Sequence, residues 1–186
     1  MLISIITPTS NSEITIASCI KSVKKQSFKD YEHIFIDNLS DDKTIKIIKK
    51  FSKLNSNIYT EKDNGIFDAM NTGVKKAKGE YLLFLNSDDE IINSNFLLNI
   101  SKLLKKNKYD IIYSNIIYKK NILGIKRKYI SEKFNKNYGW HIPHPGSVIK
   151  KKFFKSKKSF SRKYKISGDF DFFIKAQLDK KLNIYY

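Results

Sequence analysis

The chain has 186 residues, 41% hydrophobic and 13% aromatic, which suffices for one α/β domain with a core and is short for two. Its formal charge of +18, from 36 Lys and Arg against 18 Asp and Glu, favours anionic partners: nucleic acid, acidic headgroups or phosphorylated substrates. The apolar content excludes a disordered chain, and a single cysteine, Cys19, excludes an intramolecular disulfide and reads as a buried thiol in a reducing compartment. With seven Gly and three Pro there is no Pro/Gly-rich linker. No basic leader precedes the first apolar run, and no apolar stretch nears the roughly 20 residues of a membrane span, so neither a signal peptide nor a transmembrane helix is expected. The excess lysine is densest after Lys119, where it is either a solvated face or a cationic edge for a membrane or a phosphate-bearing acceptor.

Residues 3–7 form a β-branched run ended by Pro8 and read as a buried strand. Ser10 and Glu13 have capping-box spacing, and the helix they introduce presents Ile16, Ile20 and Val23 on one face. The next strand is 31–37. Ser40 can cap a second helix with Ile45, Ile48 and Phe51 apolar. A short strand follows at 58–60, then a helix at 66–78 ended by Gly79 as a left-handed cap. Residues 81–85 are a strand, 94–106 a helix, and 110–113 another strand. Beyond Tyr113, residues 116–118 and 122–130 read as strands of a smaller antiparallel part, 138–145 as a loop, 148–149 as a brief strand, 170–178 as a helix and 182–186 as a last strand.

Strands alternating with helices of this length define a mostly parallel sheet covered on both faces, and ligands bind such sheets beyond the carboxyl ends of the strands. Thr7-Pro8, Asp37-Asn38 and the segment Asn86-Ser87-Asp88-Asp89 all follow strands, so they are expected to converge. Adjacent carboxylates repel unless they share a cation, and carboxylate oxygens suit Mg²⁺ or Mn²⁺ held together with substrate phosphates. The plainer reading of Asp88-Asp89 is an acidic turn before a helix.

At these residues the chain resembles the inverting family 2 glycosyltransferases. Leu85-Asn86-Ser87-Asp88-Asp89 is similar to their metal-binding acidic motif. Ile5-Ile6-Thr7-Pro8-Thr9 resembles their opening strand and donor loop, and Ile36-Asp37-Asn38-Leu39-Ser40-Asp41-Asp42 their uridine-side segment. Asp63-Asn64-Gly65-Ile66-Phe67-Asp68-Ala69-Met70-Asn71 resembles a stretch of one subgroup, and Ser167-Gly168-Asp169-Phe170-Asp171 their late acidic motif. The motifs occur in the family's order over roughly residues 2 to 180.

The resemblance implies a single GT-A domain over residues 1–186: a Rossmann-like α/β/α sandwich, mostly parallel, with a small antiparallel part. Residues 1–113 would form its nucleotide-sugar half and 114–186 its acceptor half. It implies transfer of a sugar from a nucleotide-diphosphate donor, UDP foremost, to an acceptor hydroxyl of a polysaccharide or lipid-linked glycan at the inner face of a membrane. By the same resemblance, Asp37 accepts the imide N–H of the donor's uracil, and Thr7, Pro8 and Thr9 line the base and ribose. Asp88 and Asp89 address a divalent metal (Mn²⁺ or Mg²⁺) and the diphosphate. Asp68 and Asn71, one helical turn apart, reach the nucleotide or sugar, or else form an exposed polar face.

Asp169 is the expected base, with Asp171 its rival as a macrodipole partner. His144 is expected to orient the acceptor or the leaving phosphate, or to lie on a surface loop. Trp140 either offers a platform to a sugar ring or packs in the core. His33, inside a strand, reads as structural. The chain departs from the family pattern at Asn38 and Leu39, where Asp and Gly are frequent, and at Asn86, which keeps an oxygen but loses a charge.

A basic nucleic-acid binder is the competing class; it accounts for the charge but not for carboxylates at several strand ends, so no nucleic-acid partner is expected. A dinucleotide-dependent oxidoreductase lacks its G-x-G-x-x-G, since Thr7-Pro8-Thr9 stands in that place. An inactive relative would have lost the base or metal carboxylates, and both are present.

Overall fold

The computed structural model describes residues 1–52, 56–120, 125–129, 142–155, 159–164, 167–177 and 182–186. Five strands of the first two-thirds of the chain run parallel, β1 (Ile3–Thr9), β2 (Tyr31–Asp37), β3 (Ser56–Thr60), β4 (Tyr81–Phe84) and β5 (Ile111–Tyr113), and the last strand of the chain is parallel to β5. The helices α1 (Ile16–Lys24), α2 (Thr44–Phe51), α3 (Ile66–Lys76) and α4 (Phe96–Lys106) connect them in sequence. Then come β6 (Ile116–Lys120), β7 (Ile125–Tyr129), a 3-10 turn (His144–Gly146), β8 (Ser147–Lys150), α5 (Lys152–Lys155), α6 (Gly168–Gln177) and β9 (Ile184–Tyr185). The main sheet has the order β3-β2-β1-β4-β8-β5-β9, with β8 inserted antiparallel between β4 and β5; β6 and β7 form a separate antiparallel pair. This is the expected α/β sandwich, with the antiparallel part where the sequence places it.

Each face of the sheet carries its own apolar layer, which is why every residue of β1 and β2 is buried. Ile3, Ile5 and Phe35 pack under Ile16, Cys19, Ile20, Ile48, Leu97 and Ile100 from α1, α2 and α4. Ile6, Ile34 and Ile36 pack on the other side against Phe67, Met70, Phe160, Phe172 and Phe173. Burial pushes the Cys19 thiol up to about 12, so it is inert as a nucleophile.

Several local expectations are corrected. Pro8 does not end the first strand, because β4 pairs with β1 only as far as Ile6; Pro8 then has a strand neighbour on one side alone. Ser10 and Glu13 do not form a capping box: α1 starts at Ile16 after Thr15, whose side chain makes no capping bond, and Glu13 reaches across to accept the Lys43 N–H at 2.9 Å. Nor does Ser40 cap α2, since it turns back to Asp37.

Gly79 is not a left-handed cap either. Helix α3 ends at an extended Ala77, and Gly79 is required because a Cβ there would lie 2.5 Å from the Ser4 nitrogen. Its N–H donates to Ser4 Oγ at 2.8 Å, and Ser4 Oγ donates to the buried Glu32, which also accepts the Lys78 N–H. The obstruction is the backbone of a central strand, which cannot yield. Gly79→Ala should therefore destabilise the protein by about 2 kcal/mol or more, read as a lowered urea midpoint with unchanged slope.

His33 is wholly enclosed, with Nε2 2.8 Å from Thr7 Oγ1, and burial pushes its pKa down to about 3. The unfolded chain takes up a proton near the ordinary histidine pKa, and the native state does not. Stability is thus complete above that range and falls as pH drops toward 3, by about 1.4 kcal/mol per pH unit. His33→Gln should flatten the fall in Tm between neutral and weakly acidic pH; an unchanged slope would overturn this.

Candidate active site

The loops after β1, β2, β3 and β4 meet at the strands' carboxyl ends and are sewn together by side chains. Asn11, in the left-handed region at φ 44, accepts the Asp41 N–H at 3.1 Å, and its own N–H donates to Ser40 Oγ at 3.0 Å. The Ser12 N–H donates to Thr44 Oγ1 at 2.7 Å, the Glu13 N–H donates to Asp42, and Ser12 Oγ lies 2.9 Å from Ser87 Oγ. Asn38 Oδ1 accepts the Asp63 N–H at 3.1 Å, bringing in the loop after β3. Nothing in the sequence marks Asn11, Ser12 or Glu13 as rim residues, since hydroxyl and amide pairs that close only in space leave no sequence pattern.

Asp37 has no accessible surface. Its carboxylate accepts from Thr9 Oγ1 at 3.0 Å, from Ser40 Oγ at 2.5 Å and from the Ser40 N–H at 3.0 Å, so it holds the turn at 38–40 from behind. Thr7 is equally enclosed and faces His33, and Pro8 and Thr9 are buried. These four form the foundation of the rim rather than its surface. Asn38 and the exposed Leu39 are what the rim presents. Leu39 adopts φ 48, a left-handed conformation costing on the order of 1 kcal/mol in a residue with a Cβ, where glycine would cost nothing.

Asp68 and Asn71 do lie one turn apart on α3, but with separate duties. Asp68 accepts the Asn64 N–H at 3.2 Å and meets the Arg162 guanidinium at 3.4 Å. Both ends of the Asn71 amide are taken by the Phe160 backbone, at 2.9 and 3.0 Å, so Asn71 clamps the 159–164 segment against the sheet. Asp63 is partly buried. Burial raises its pKa, and the charges of Asp68, Asp37 and Glu61 add to this against one bond from the Gly65 N–H.

After β4 the chain folds into a turn in which the Asp89 N–H donates to the Asn86 carbonyl at 3.0 Å. The 3-10 turn packs against β4, and there His144 Nδ1 lies 3.2 Å from Asp169 Oδ2 at the start of α6. Among the described residues three side-chain atoms here are buried without a hydrogen-bond partner: Asn86 Oδ1, Asp89 Oδ2 and His144 Nε2. Unmet buried polar atoms are costly, and a polar ligand or ion at this place would satisfy them.

Burial raises the Asp89 pKa and the Asp88 charge raises it further, with hydrogen bonds from Asn86 and the charge of His144 opposing. For Asp169 burial also acts upward, but the hydrogen bond and charge of His144 together with the backbone N–H groups of Phe170 and Asp169 leave the carboxyl below its ordinary value. Asp171 is tied to Lys175 at 2.6 Å. Gly168 gives way to the Phe67 ring, which a Cβ would approach to 2.7 Å. Trp140 lies outside the described residues.

Among the described residues no group of three or more His, Cys, Asp or Glu is gathered to hold a metal ion. The residues present nevertheless fit a hard divalent cation of the Mg²⁺ or Mn²⁺ kind. Asn86 Oδ1 and Asp89 Oδ2 are unpartnered oxygens beside the exposed Asp88, and such ions commonly take one or two carboxylates and complete their shell with phosphate and water.

The polar, acidic rim of this mostly parallel sheet thus gathers Asn86, Asp88, Asp89, His144 and Asp169 beyond the strand ends. The model for glycosyl transferase family 2 matches residues 4–174, and the chain belongs to that family. It is 27% identical over 181 residues to a Mycobacterium tuberculosis PGL/p-HBAD biosynthesis glycosyltransferase, covering 94% of this chain and 69% of the relative. It is 37% identical over 148 residues to the Escherichia coli UDP-Glc:alpha-D-GlcNAc-diphosphoundecaprenol beta-1,3-glucosyltransferase, covering 74% and 56%.

The fold superposes on Staphylococcus aureus TarS 1–349 in complex with UDP, with TM-score 0.83 and 27% identity, over 99% of this chain and 57% of that 1–349 chain. It also superposes on a Pyrobaculum calidifontis mannosyltransferase in complex with GDP-Man and Mn²⁺, with TM-score 0.76 and 16% identity, a likeness of fold. The chain thus spans little more than half the length of these two solved relatives. Among the described residues no helix is long and apolar enough to cross a membrane.

Proposed function

We propose that this chain transfers a sugar from a UDP-linked donor to a hydroxyl of a glycan or lipid-linked acceptor, with inversion at the anomeric carbon. The observation that carries this reading is the set of unpaired buried atoms on Asn86, Asp89 and His144 beside Asp169. The UDP bound by TarS and the UDP-glucose named for the E. coli relative support the choice of nucleotide.

The base contact expected of Asp37 passes to its neighbours in this reading. Asn38 keeps its amide nitrogen for a base carbonyl, and Asp63 keeps one carboxylate oxygen for the imide N–H. Thr7, Pro8, Thr9 and Asp37 keep that edge rigid, and Asn71 does the same for the sugar side. Asp88 and Asp89, with Asn86 Oδ1, would hold the divalent cation. When bound, it neutralises charge gathering on the leaving diphosphate.

Asp169 takes the proton of the incoming hydroxyl. His144 fixes the carboxylate through Nδ1 and turns Nε2 toward the diphosphate or the acceptor. Asp171, occupied by Lys175, is the weaker base. A thermal-shift screen of UDP, GDP, dTDP and CMP sugars with and without Mn²⁺ tests the reading. UDP compounds should raise Tm most, and more with Mn²⁺; equal response to all four nucleotides, or to none, would overturn it.

A further inference from the structure

Charge on this molecule is sorted by end. Each crossover helix finishes where the next parallel strand begins, so the turns after α1, α2, α3 and α4 share the edge opposite the candidate site. Those turns carry Lys24, Lys25, Lys49, Lys50, Lys75, Lys76, Lys78, Lys105, Lys106 and Lys108, all exposed. The strand-end loops carry Asp41, Asp42, Glu61, Asp63, Asp88, Asp89 and Glu90.

Favourable placement at helix C-termini explains some lysine there. It does not explain why α1, α2 and α4 have no acidic residue in the first turn, where the same effect favours one. Carboxylates near the lysine edge are already engaged: Asp30 by the N-terminus, Glu80 by Lys150, Asp110 by Lys152. Among the described residues none of the ten lysines has a carboxylate partner. Because α3 covers one face of the sheet and α1, α2 and α4 the other, the lysines form a two-sided field rather than a single stripe.

We infer that this edge docks the domain on a surface of anionic phospholipid headgroups, with the candidate site turned to the aqueous side, so that of the two acceptor kinds proposed above it serves a glycan standing off that surface. The field contains no arginine to grip individual phosphates with a fork. It contains no exposed aromatic on which a base could stack: Phe28, Phe51 and Tyr109 are half-buried, Tyr31 and Tyr81 buried. A diffuse array of point charges matches the field of an acidic bilayer, where each lysine strengthens binding by about fivefold.

The test is co-sedimentation of the 186-residue chain with phosphatidylglycerol/phosphatidylcholine vesicles and with phosphatidylcholine vesicles, at low and high salt. Binding should require the anionic lipid and weaken with salt. Replacing Lys24, Lys25, Lys49, Lys75, Lys105 and Lys106 together with Gln should weaken it by at least about a hundredfold, and replacing them with Arg should restore it. Replacing Lys43, Lys62, Lys163 and Lys175 with Gln should change it little. The inference fails if the Gln variant of the edge binds like the parent, if the control set loses as much per lysine, or if a DNA duplex at equal phosphate displaces the vesicles. The circular dichroism of each variant must match the parent. None of these outcomes depends on the sugar-transfer reading, which the donor screen tests separately.

Discussion

Asp169→Asn is expected to lower sugar transfer by about 10³-fold while leaving UDP affinity within about twofold. Asparagine keeps the size of the side chain and still accepts from His144 Nδ1, which lies 3.2 Å from the carboxylate, but it cannot take a proton. In the parent, His144 and the backbone N–H groups of Phe170 and Asp169 together hold the Asp169 carboxyl below its ordinary range against the opposing effect of burial. The base is therefore ionised throughout the neutral range, and the acid limb of the kcat/KM profile should fall below the usual carboxylate region. Single-turnover rates and UDP titration of the same preparation separate the two effects. Transfer at the parent rate would remove Asp169 from the chemistry; loss of UDP binding would make it a structural or donor residue.

The second large effect is at the turn after β4. Asp89→Ala should abolish the part of UDP-sugar stabilisation that depends on Mn²⁺, a loss on the order of a hundredfold in donor affinity measured with the metal present. Without the metal the change should be small, and the variant should be at least as stable as the parent. Asp89 carries an unpartnered buried oxygen and a pKa raised by burial and by Asp88. Removing a strained carboxylate costs the fold little; a metal-independent loss of affinity would show that Asp89 acts on the donor directly.

The three-layer architecture was legible because it rests on local periodicity: apolar runs at 31–37 and 81–85, and Ile16, Ile20 and Val23 on one helical face, are readable without any neighbour. The position of Asp88 and Asp89 just beyond a strand was legible for the same reason. Gly79 shows where that reading stops. A glycine after a helix suggests a left-handed cap, and the structure shows instead close passage beneath Ser4, 75 residues earlier. Asp37 shows it again: its place after a strand was legible, while its bonds from the hydroxyls of Thr9 and Ser40 exist only in the folded chain.

The amino-acid sequence by itself determined the fold class, the order of elements and the rim at which the acidic residues collect, because hydrophobic period and strand-end position are properties of short segments. Only the tertiary structure decided which carboxylates face outward, that His144 holds Asp169, and that lysines from four separate turns share one edge. Those outcomes depend on partners tens of residues away, and a side chain's hydrogen bonds and burial exist only once the chain has brought them together.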